Sequence, residues 1–539
     1  MITVTPLGYS AEPLSPAACT TGYRRDVPSV ERGNLMKRVC LALFATQVLT
    51  PLAVFAAAES KPARPNVVIF LTDDESWLER SAYGWSKLPT PHFDRVAKEG
   101  VLFTRGYTSA PSCAPSRASL LTGRNFWELE EGAFIQAHLP PKFAVLPDLM
   151  EAGGYFAGYT GKGYGPALMT GRTRNPAGSA FNSIKRKKPE EGINPIDYVA
   201  NFAKFLAEKP AEKPFWFWCG PTEPHGPYGK DNDKKLLERY GVALEAVKVP
   251  GFLPDTAGVR HGRARFLYEV CHVDATLGGV LKVLEERGEL ANTLLIVTSD
   301  NGTAVPRSKA SPYDWGLHEP MAMMWPARVK GDRRVDDFVN FADLAPTILE
   351  AAGLPVPKEM SGRSVLNVLL SGRSGRVDPS RSWTTGGLEW HGELPPINKA
   401  CRMIRDERYQ YIVNYSPAPR MVLAADARRP DDEYASNAQR SELTSLLAKH
   451  ADHPAVKPFV ALHVDPPPRE ELYDCEADPF ELNNLADSPE HAAAKARLKA
   501  QLEAYQRQTK DPRITGDMTL FEKTRDFVQD RKRKGYRDQ

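Results

Sequence analysis

The chain has 539 residues, 42% of them hydrophobic and 25% charged, with a formal net charge of +3. That length exceeds what a single core usually serves, so more than one domain is expected, and the composition excludes a disordered, collagen-like or multi-span membrane protein. Near-neutrality at this size argues against a nucleic-acid partner, and the basic run Arg531-Lys532-Arg533-Lys534 reads as a solvated tail.

Near the start, Met36-Lys37-Arg38 leads into an apolar run over 39–53 and then Val54-Phe55-Ala56-Ala57-Ala58. These are the charged, apolar and small-residue parts of a secretory signal. The expectation is a signal peptide over 36–58, a start-site extension over 1–35, and a mature chain that is periplasmic or secreted. No later stretch is apolar for about 18 residues, so no stable membrane span is expected. Five of the seven cysteines lie beyond the signal: Cys113, Cys219, Cys271, Cys401 and Cys475. An oxidising compartment allows a disulfide, with Cys401 and Cys475 as one pairing, whereas Cys219 at the end of an apolar run reads as a buried thiol.

Asn66 to Thr72 is a continuous apolar run, the pattern of a strand covered on both faces, and it ends at Asp73-Asp74. A helix over 90–99, stopped by Gly100, precedes a short strand over 101–103. The alternation then repeats: a helix over 146–152, a strand over 155–160 ending at Gly161-Lys162-Gly163, a helix over 196–208, and a strand over 215–218 ending near Pro224-His225. A long helix over 263–287 precedes a strand over 293–299 that ends at Asp300-Asn301-Gly302. This order predicts an α/β fold with a mostly parallel sheet and helices on both faces. Beyond a helix over 341–352 the texture changes to short strands, such as 401–404 and 409–413, and a last helix over 489–507. The expected division is therefore a catalytic domain over 59–380 and a smaller C-terminal α+β subdomain with a short antiparallel sheet over 381–539.

In open α/β sheets, ligands bind beyond the carboxyl ends of the strands. Asp73-Asp74, Lys162, His225 and Asp300-Asn301 each follow an apolar strand, so they are expected to converge at one sheet edge. The two acids and the Asp-Asn pair offer oxygen ligands for a hard divalent cation. Each pair alone is also a common turn sequence.

The stretch over 109–124 organises the rest. Its first part is rich in turn formers, and Ser112 suits the N-cap of a short helix that carries Cys113 in its first turn, where free backbone N–H groups favour an anion. Cys113 and Arg117, four apart, share one helix face. Alone, the string also fits a small residue in a tight turn beside a solvated charge. Followed by Leu121-Thr122-Gly123-Arg124, it resembles the signature of the type I sulfatases of the alkaline-phosphatase-like superfamily, and the likeness extends to Glu471-Leu472-Tyr473-Asp474 and Asp478-Pro479.

The resemblance implies that a maturation enzyme oxidises Cys113 to Cα-formylglycine, whose hydrate is the nucleophile. It implies one calcium ion held by Asp73, Asp74, Asp300, Asn301 and residue 113. It also implies that Arg117, Lys162 and Lys309 neutralise sulfate oxygens while His225 protonates the leaving group. Gly161 to Pro166 and Gly171 to Gly178 are similar to bacterial proteins of the heparan N-sulfatase (sulfamidase) branch, which implies a sulfated mono- or oligosaccharide substrate, glycosaminoglycan-like or algal. One position departs: many sulfatases carry Lys-x-His where this chain has Lys162-Gly163-Tyr164. Either Tyr164 takes the histidine's part, or another group such as His318 does, or turnover is slow. Tyr164, Arg172, Arg174, His318, Glu319, Glu389 and His391 are candidate substrate contacts, and each equally fits a structural or surface role. The rival readings are a phosphoesterase of the same fold and a non-catalytic sulfated-glycan-binding protein.

Overall fold

The computed structural model describes residues 64–391, 400–416, 446–447, 449–454 and 456–533, so the expected signal and start-site extension lie outside the described residues. The main sheet contains β1 (Asn66–Thr72), β2 (Val101–Tyr107), β3 (Phe156–Gly161), β4 (Phe215–Gly220), β5 (Thr293–Ser299), β6 (His318–Met324), β7 (Arg333–Val335) and β8 (Val339–Asn340). Its order is β3-β4-β1-β5-β6-β2-β7, with β8 also paired to β2. Strands β3, β4, β1 and β5 run parallel to one another, and β6 is antiparallel to both β5 and β2.

Every residue of β1, β4 and β5 is buried, and the alternation of side chains explains why these segments are apolar throughout. Val67, Ile69 and Leu71 join one core layer, while Val68 and Phe70 join the other. On the first layer lie α2 (Cys113–Thr122) and α3 (Leu146–Ala152), through residues such as Ala118, Leu121 and Met150. On the second lie α1 (Pro91–Glu99), α4 (Tyr198–Glu208) and α5 (Ala257–Glu286), through Phe93, Phe205 and Leu277. Helix α5 starts six residues earlier than the apolar periodicity indicates, because the Thr256 side chain accepts a hydrogen bond from the Val259 N–H and caps it there.

The chain then builds a four-stranded antiparallel sheet from β9 (Trp383–Leu388), β10 (Cys401–Asp406), β11 (Tyr409–Asn414) and β12 (Glu470–Asp474), in the order β12-β11-β10-β9. Its register rules out the Cys401–Cys475 pairing. Cys401 stands opposite Asn414, whereas Cys475 follows Asp474, which stands opposite Tyr409 at the other end of β11. Five residues of strand, roughly 16 Å, separate those ends, and a disulfide needs Cα atoms within about 7 Å. Cys219 is a buried free thiol, as the sequence indicates.

The register also brings the polar residues together. Thr72 pairs with Ser299 and Gly161 with Gly220, so Asp73, Lys162 and Asp300 leave the sheet along one edge. Gly161 makes the close approach that this requires. Its φ is +77°, and a Cβ there would lie 2.0 Å from the Gly220 carbonyl oxygen. Gly161→Ala should therefore cost roughly 2–4 kcal/mol, the sum of left-handed strain and overpacking, and should lower the midpoint of thermal unfolding. A midpoint equal to that of the wild type would contradict the close approach.

Candidate functional site

Helix α2 presents Cys113 at its first position, and all ten of its residues are buried. Ser112 has the extended backbone of an N-cap, but its hydroxyl does not cap the helix; it lies 2.8 Å from Nδ1 of His391, which the chain brings in just after β9. Arg117, one turn along, gives its Nε–H to Asp300 Oδ2 at 2.7 Å and an Nη1 hydrogen to the carbonyls of Lys162 and Gly163 at 2.9 and 3.1 Å. The helix is thereby tied to the ends of β5 and β3.

Around Cys113 the remaining groups form interlocked pairs. Lys162 Nζ lies 2.6 Å from Asp73 Oδ2, and Lys309 Nζ lies 2.7 Å from the Asp74 carboxylate. Asn301 Nδ2 donates to Asp74 Oδ1 at 2.7 Å. His225 faces Asp74 with Nε2 at 3.7 Å, while its Nδ1 lies 2.7 Å from the Gly226 carbonyl. With Nδ1–H donating to that carbonyl, Nε2 is left as the nitrogen that addresses the site. Cys113 Sγ is 3.6 Å from Asp73 Oδ1.

The electrostatics fit a cation. Burial opposes charge on Asp73, yet Lys162, His225, Arg117 and Lys309 hold its carboxyl well below the usual range. Burial and the charge of Asp73 push Asp300 upward in spite of Arg117. Carboxylates crowded in this way are relieved by a metal ion. Asp73, Asp74, Cys113 and Asp300 offer ligand atoms that all lie within 4.8 Å of one another. The Oδ1 of Asn301 is buried without a hydrogen-bond partner among the described residues, as an oxygen reserved for a ligand would be. The carboxylates and this amide form an oxygen set of the kind hard cations take. Burial pushes the Cys113 thiol up to about 12, although Lys162 and Lys309 oppose the shift. Sulfur at that position is thus protonated at neutral pH, neither an effective nucleophile nor a ligand for such an ion.

These groups open into a cavity of about 400 Å³, walled further by Tyr159, Tyr164, Thr222 and His391. The Tyr164 ring is 2% exposed, its hydroxyl has no partner among the described residues, and burial raises its pKa, with Arg172 as the charge that bears on it.

Five of the proposed contacts lie outside the cavity, and four of them have other work. Arg172 gives its guanidinium hydrogens to the carbonyls of Leu139, Pro140 and Phe143, pinning that loop. Arg174 pairs with Asp148 and Glu151 of α3. His318 is stacked between Trp77 and Tyr107 and bonded to Asp314 and the Thr104 carbonyl. Glu389 is held by Arg402 and Arg513. Glu319 is fully buried away from the cavity, its carboxyl oxygens have no hydrogen-bond partner among the described residues, and burial pushes its pKa well above the usual range. None of the five lines the cavity. Conversely, Ile135, Gln136, Asn175 and Thr222 do line it and escaped the sequence reading. They sit in loops with no motif. The one available signal was Asn175, inside the Gly171 to Gly178 segment, and its amide holds the backbone of Tyr164 on both sides.

A buried nucleophile-sized residue at a helix N-terminus, three fixed cations and an oxygen-rich cluster able to hold a metal ion, all at one edge of an α/β sheet, suit esters of a tetrahedral oxyanion. The sulfatase family model matches residues 65–354, and the model of the N-sulphoglucosamine sulphohydrolase C-terminal region matches residues 308–451. The chain belongs to the sulfatase family. It is 29% identical to human N-sulphoglucosamine sulphohydrolase over 496 residues, 86% of this chain and 94% of that one. It is 26% identical to an ulvan-active sulfatase of Formosa agariphila over 473 residues, 82% of this chain and 75% of that one. Solved structures share the alkaline-phosphatase-like sulfatase fold. One, in complex with its substrate D-glucosamine-2-N,6-O-disulfate, aligns with TM-score 0.59 at 19% identity over 83% of this chain and 98% of that one. The phosphonate monoester hydrolase of Silicibacter pomeroyi aligns with TM-score 0.57 at 19% identity over 83% and 96%. At those identities the likeness speaks for the fold alone.

If the oxygen cluster holds calcium, adding the ion to metal-stripped protein at 100 times its dissociation constant should stabilise the fold by about 2.7 kcal/mol. Asp74→Asn should abolish that gain. Asn tolerates the left-handed backbone at this position, φ +72°, so the variant should still fold. The gain should also fade as pH falls, because Asp300, pushed upward, takes a proton before an ordinary carboxylate would and the proton competes with the metal. A calcium-induced shift equal in wild type and Asp74→Asn would count against the site.

Proposed function

We propose that the protein is an exported hydrolase that releases sulfate from the sulfate esters or sulfamates of a sulfated carbohydrate, using formylglycine made from Cys113 and one calcium ion. The observation that carries this reading is the ring of Lys162, Lys309, His225 and the metal-type carboxylates around a buried residue 113 whose thiol is unsuited to the work. The similarity to N-sulphoglucosamine sulphohydrolase and to ulvan-active sulfatases favours a sulfated glycan, and the apolar segment over 39–53 favours a periplasmic or secreted site of action. No helix among the described residues is long and apolar enough to cross a membrane.

Formylglycine and calcium, once present, supply an oxygen nucleophile and a fixed positive charge beside it. The protein's own residues do the rest. Lys162 and Lys309 line the cavity and direct their ammonium groups toward Asp73 and Asp74, next to residue 113, where the sulfo group must sit. They neutralise charge that develops on its oxygens. Arg117 acts from behind: its Nε–H and Nη1 hydrogens go to Asp300 and two carbonyls, so it fixes a carboxylate ligand and the turn that carries Lys162, while its buried Nη2, 3.9 Å from Asp73, keeps no hydrogen-bond partner among the described residues. His225 lies at the cavity wall with its Nδ1 side anchored, and its Nε2 is positioned to carry a proton to the departing oxygen or nitrogen.

Mass analysis of the peptide containing residue 113, from protein made in a host with the maturation enzyme, should show the aldehyde. A retained thiol, or faster turnover of phosphate and phosphonate esters than of sulfated sugars, would overturn the reading. His225→Asn should lower kcat on a sugar sulfate by roughly 10²–10⁴-fold, yet far less on an aryl sulfate, whose leaving group departs without a proton. Equal losses on both would remove His225 from the proton-transfer role.

A further inference from the structure

Eight non-glycine residues among those described have a left-handed backbone. Asp74 and Gln136 line the cavity, and Arg307 and Ala310 bracket Lys309. Such conformations cost about 1 kcal/mol or more each and persist where the surroundings force them, most often at functional sites. The strain at Asp74 and around Lys309 serves the charged cluster; that at Gln136, φ +63°, serves nothing yet described.

The surroundings of Gln136 show how the strain is held. Ile135 and Ala137 on either side are 5% and 1% exposed and belong to the main core, and the Gln136 N–H donates to the Pro166 carbonyl at 2.9 Å. The backbone is therefore pinned at three consecutive residues, and the half-buried side chain is delivered to the cavity wall. Its amide makes no hydrogen bond to any described residue, so it plays no part in holding the loop. Glycine would take this backbone without cost, and its place is filled by a residue with a long neutral amide.

We infer that Gln136 is a specificity-determining residue that reads neutral hydroxyl groups on the ring of the sulfated sugar. This rests on the sulfatase reading above. A primary amide offers one acceptor oxygen and two donor hydrogens, which suits a pair of neighbouring hydroxyls. A second sulfo group or a uronate would call for a cation instead, typically arginine. Ile135 and Pro166 beside it, and Tyr159 elsewhere on the same wall, offer apolar surface for the C–H face of a sugar ring. The amide thus selects the glycone, while the lysines and His225 act on the sulfo group.

The test compares Gln136→Ala, Gln136→Gly and wild type on two substrates: the fastest from a panel of monosulfated sugars, and 4-nitrophenyl sulfate, which has no sugar hydroxyls. On the sugar, Gln136→Ala should lose about 10–100-fold in kcat/KM, chiefly through KM, and on the aryl sulfate it should stay within about threefold. Gln136→Gly should show the same selective loss while unfolding at an equal or higher temperature than wild type, because the strain is relieved. Calorimetry in a Cys113→Ala background, which has no nucleophilic atom at position 113, should show the sugar sulfate bound more weakly by a similar factor when Gln136 is replaced. Equal losses on both substrates, or no loss on the sugar, would overturn this inference and leave the sulfatase reading intact. A wild type that releases sulfate from neither substrate would overturn both.

Discussion

Three buried carboxylates, each facing a buried or half-buried cation, form the constraint on which the rest depends. Asp73 meets Lys162, Asp74 meets Lys309, and Asp300 meets Arg117, and each pair joins segments far apart in the chain. Buried ion pairs add little net stability, because desolvation consumes most of the Coulombic gain, but removing one partner is severe. Their effect here is therefore to specify geometry: the ends of β1, β3 and β5, the loop after β5 and the helix α2 have one arrangement in which no charge is left alone. That arrangement gathers every group the proposed chemistry requires.

A further buried scaffold lies behind it. Glu75 and Asp274 hold Arg80, and Glu79 holds Arg263, so the segment that follows β1 is anchored to α5. The second sheet contributes in the same manner. Arg402 on β10 binds Glu389 and Asp511, and the segment fixed by Glu389 delivers His391 to the hydroxyl of Ser112, next to residue 113. Charged residues in this molecule are more often struts than contacts. For that reason Arg172, Arg174 and Glu389, chosen from the sequence for their charge, stand apart from the cavity.

The work within the site is divided by charge. The lysines and the oxygen cluster gather around residue 113, and neutral or apolar side chains such as Ile135, Gln136 and Tyr159 also line the wall. Tyr164 belongs to the wall as well. Its buried hydroxyl has no hydrogen-bond partner among the described residues and burial raises its pKa, so it is a poor stand-in for a histidine. The imidazole that does lie near residue 113, at His391, is supplied by the smaller sheet.

By itself the sequence determined the parallel strands, their order of appearance and the polar residues that end them. A strand buried on both faces must be apolar throughout, so the first charged residue after it marks the sheet edge, as at Asp73, Lys162 and Asp300. The cysteine signature was equally legible, because one turn of helix fixes Cys113 and Arg117 on a common face. Only the tertiary structure decided the antiparallel run of β6, which begins with the polar His318-Glu319 and has no periodicity to announce it. It alone also separated cavity residues from struts and revealed Gln136. Whether a polar side chain faces a ligand or a distant partner depends on which groups the fold brings within about 3 Å of it, and no local pattern encodes that distance.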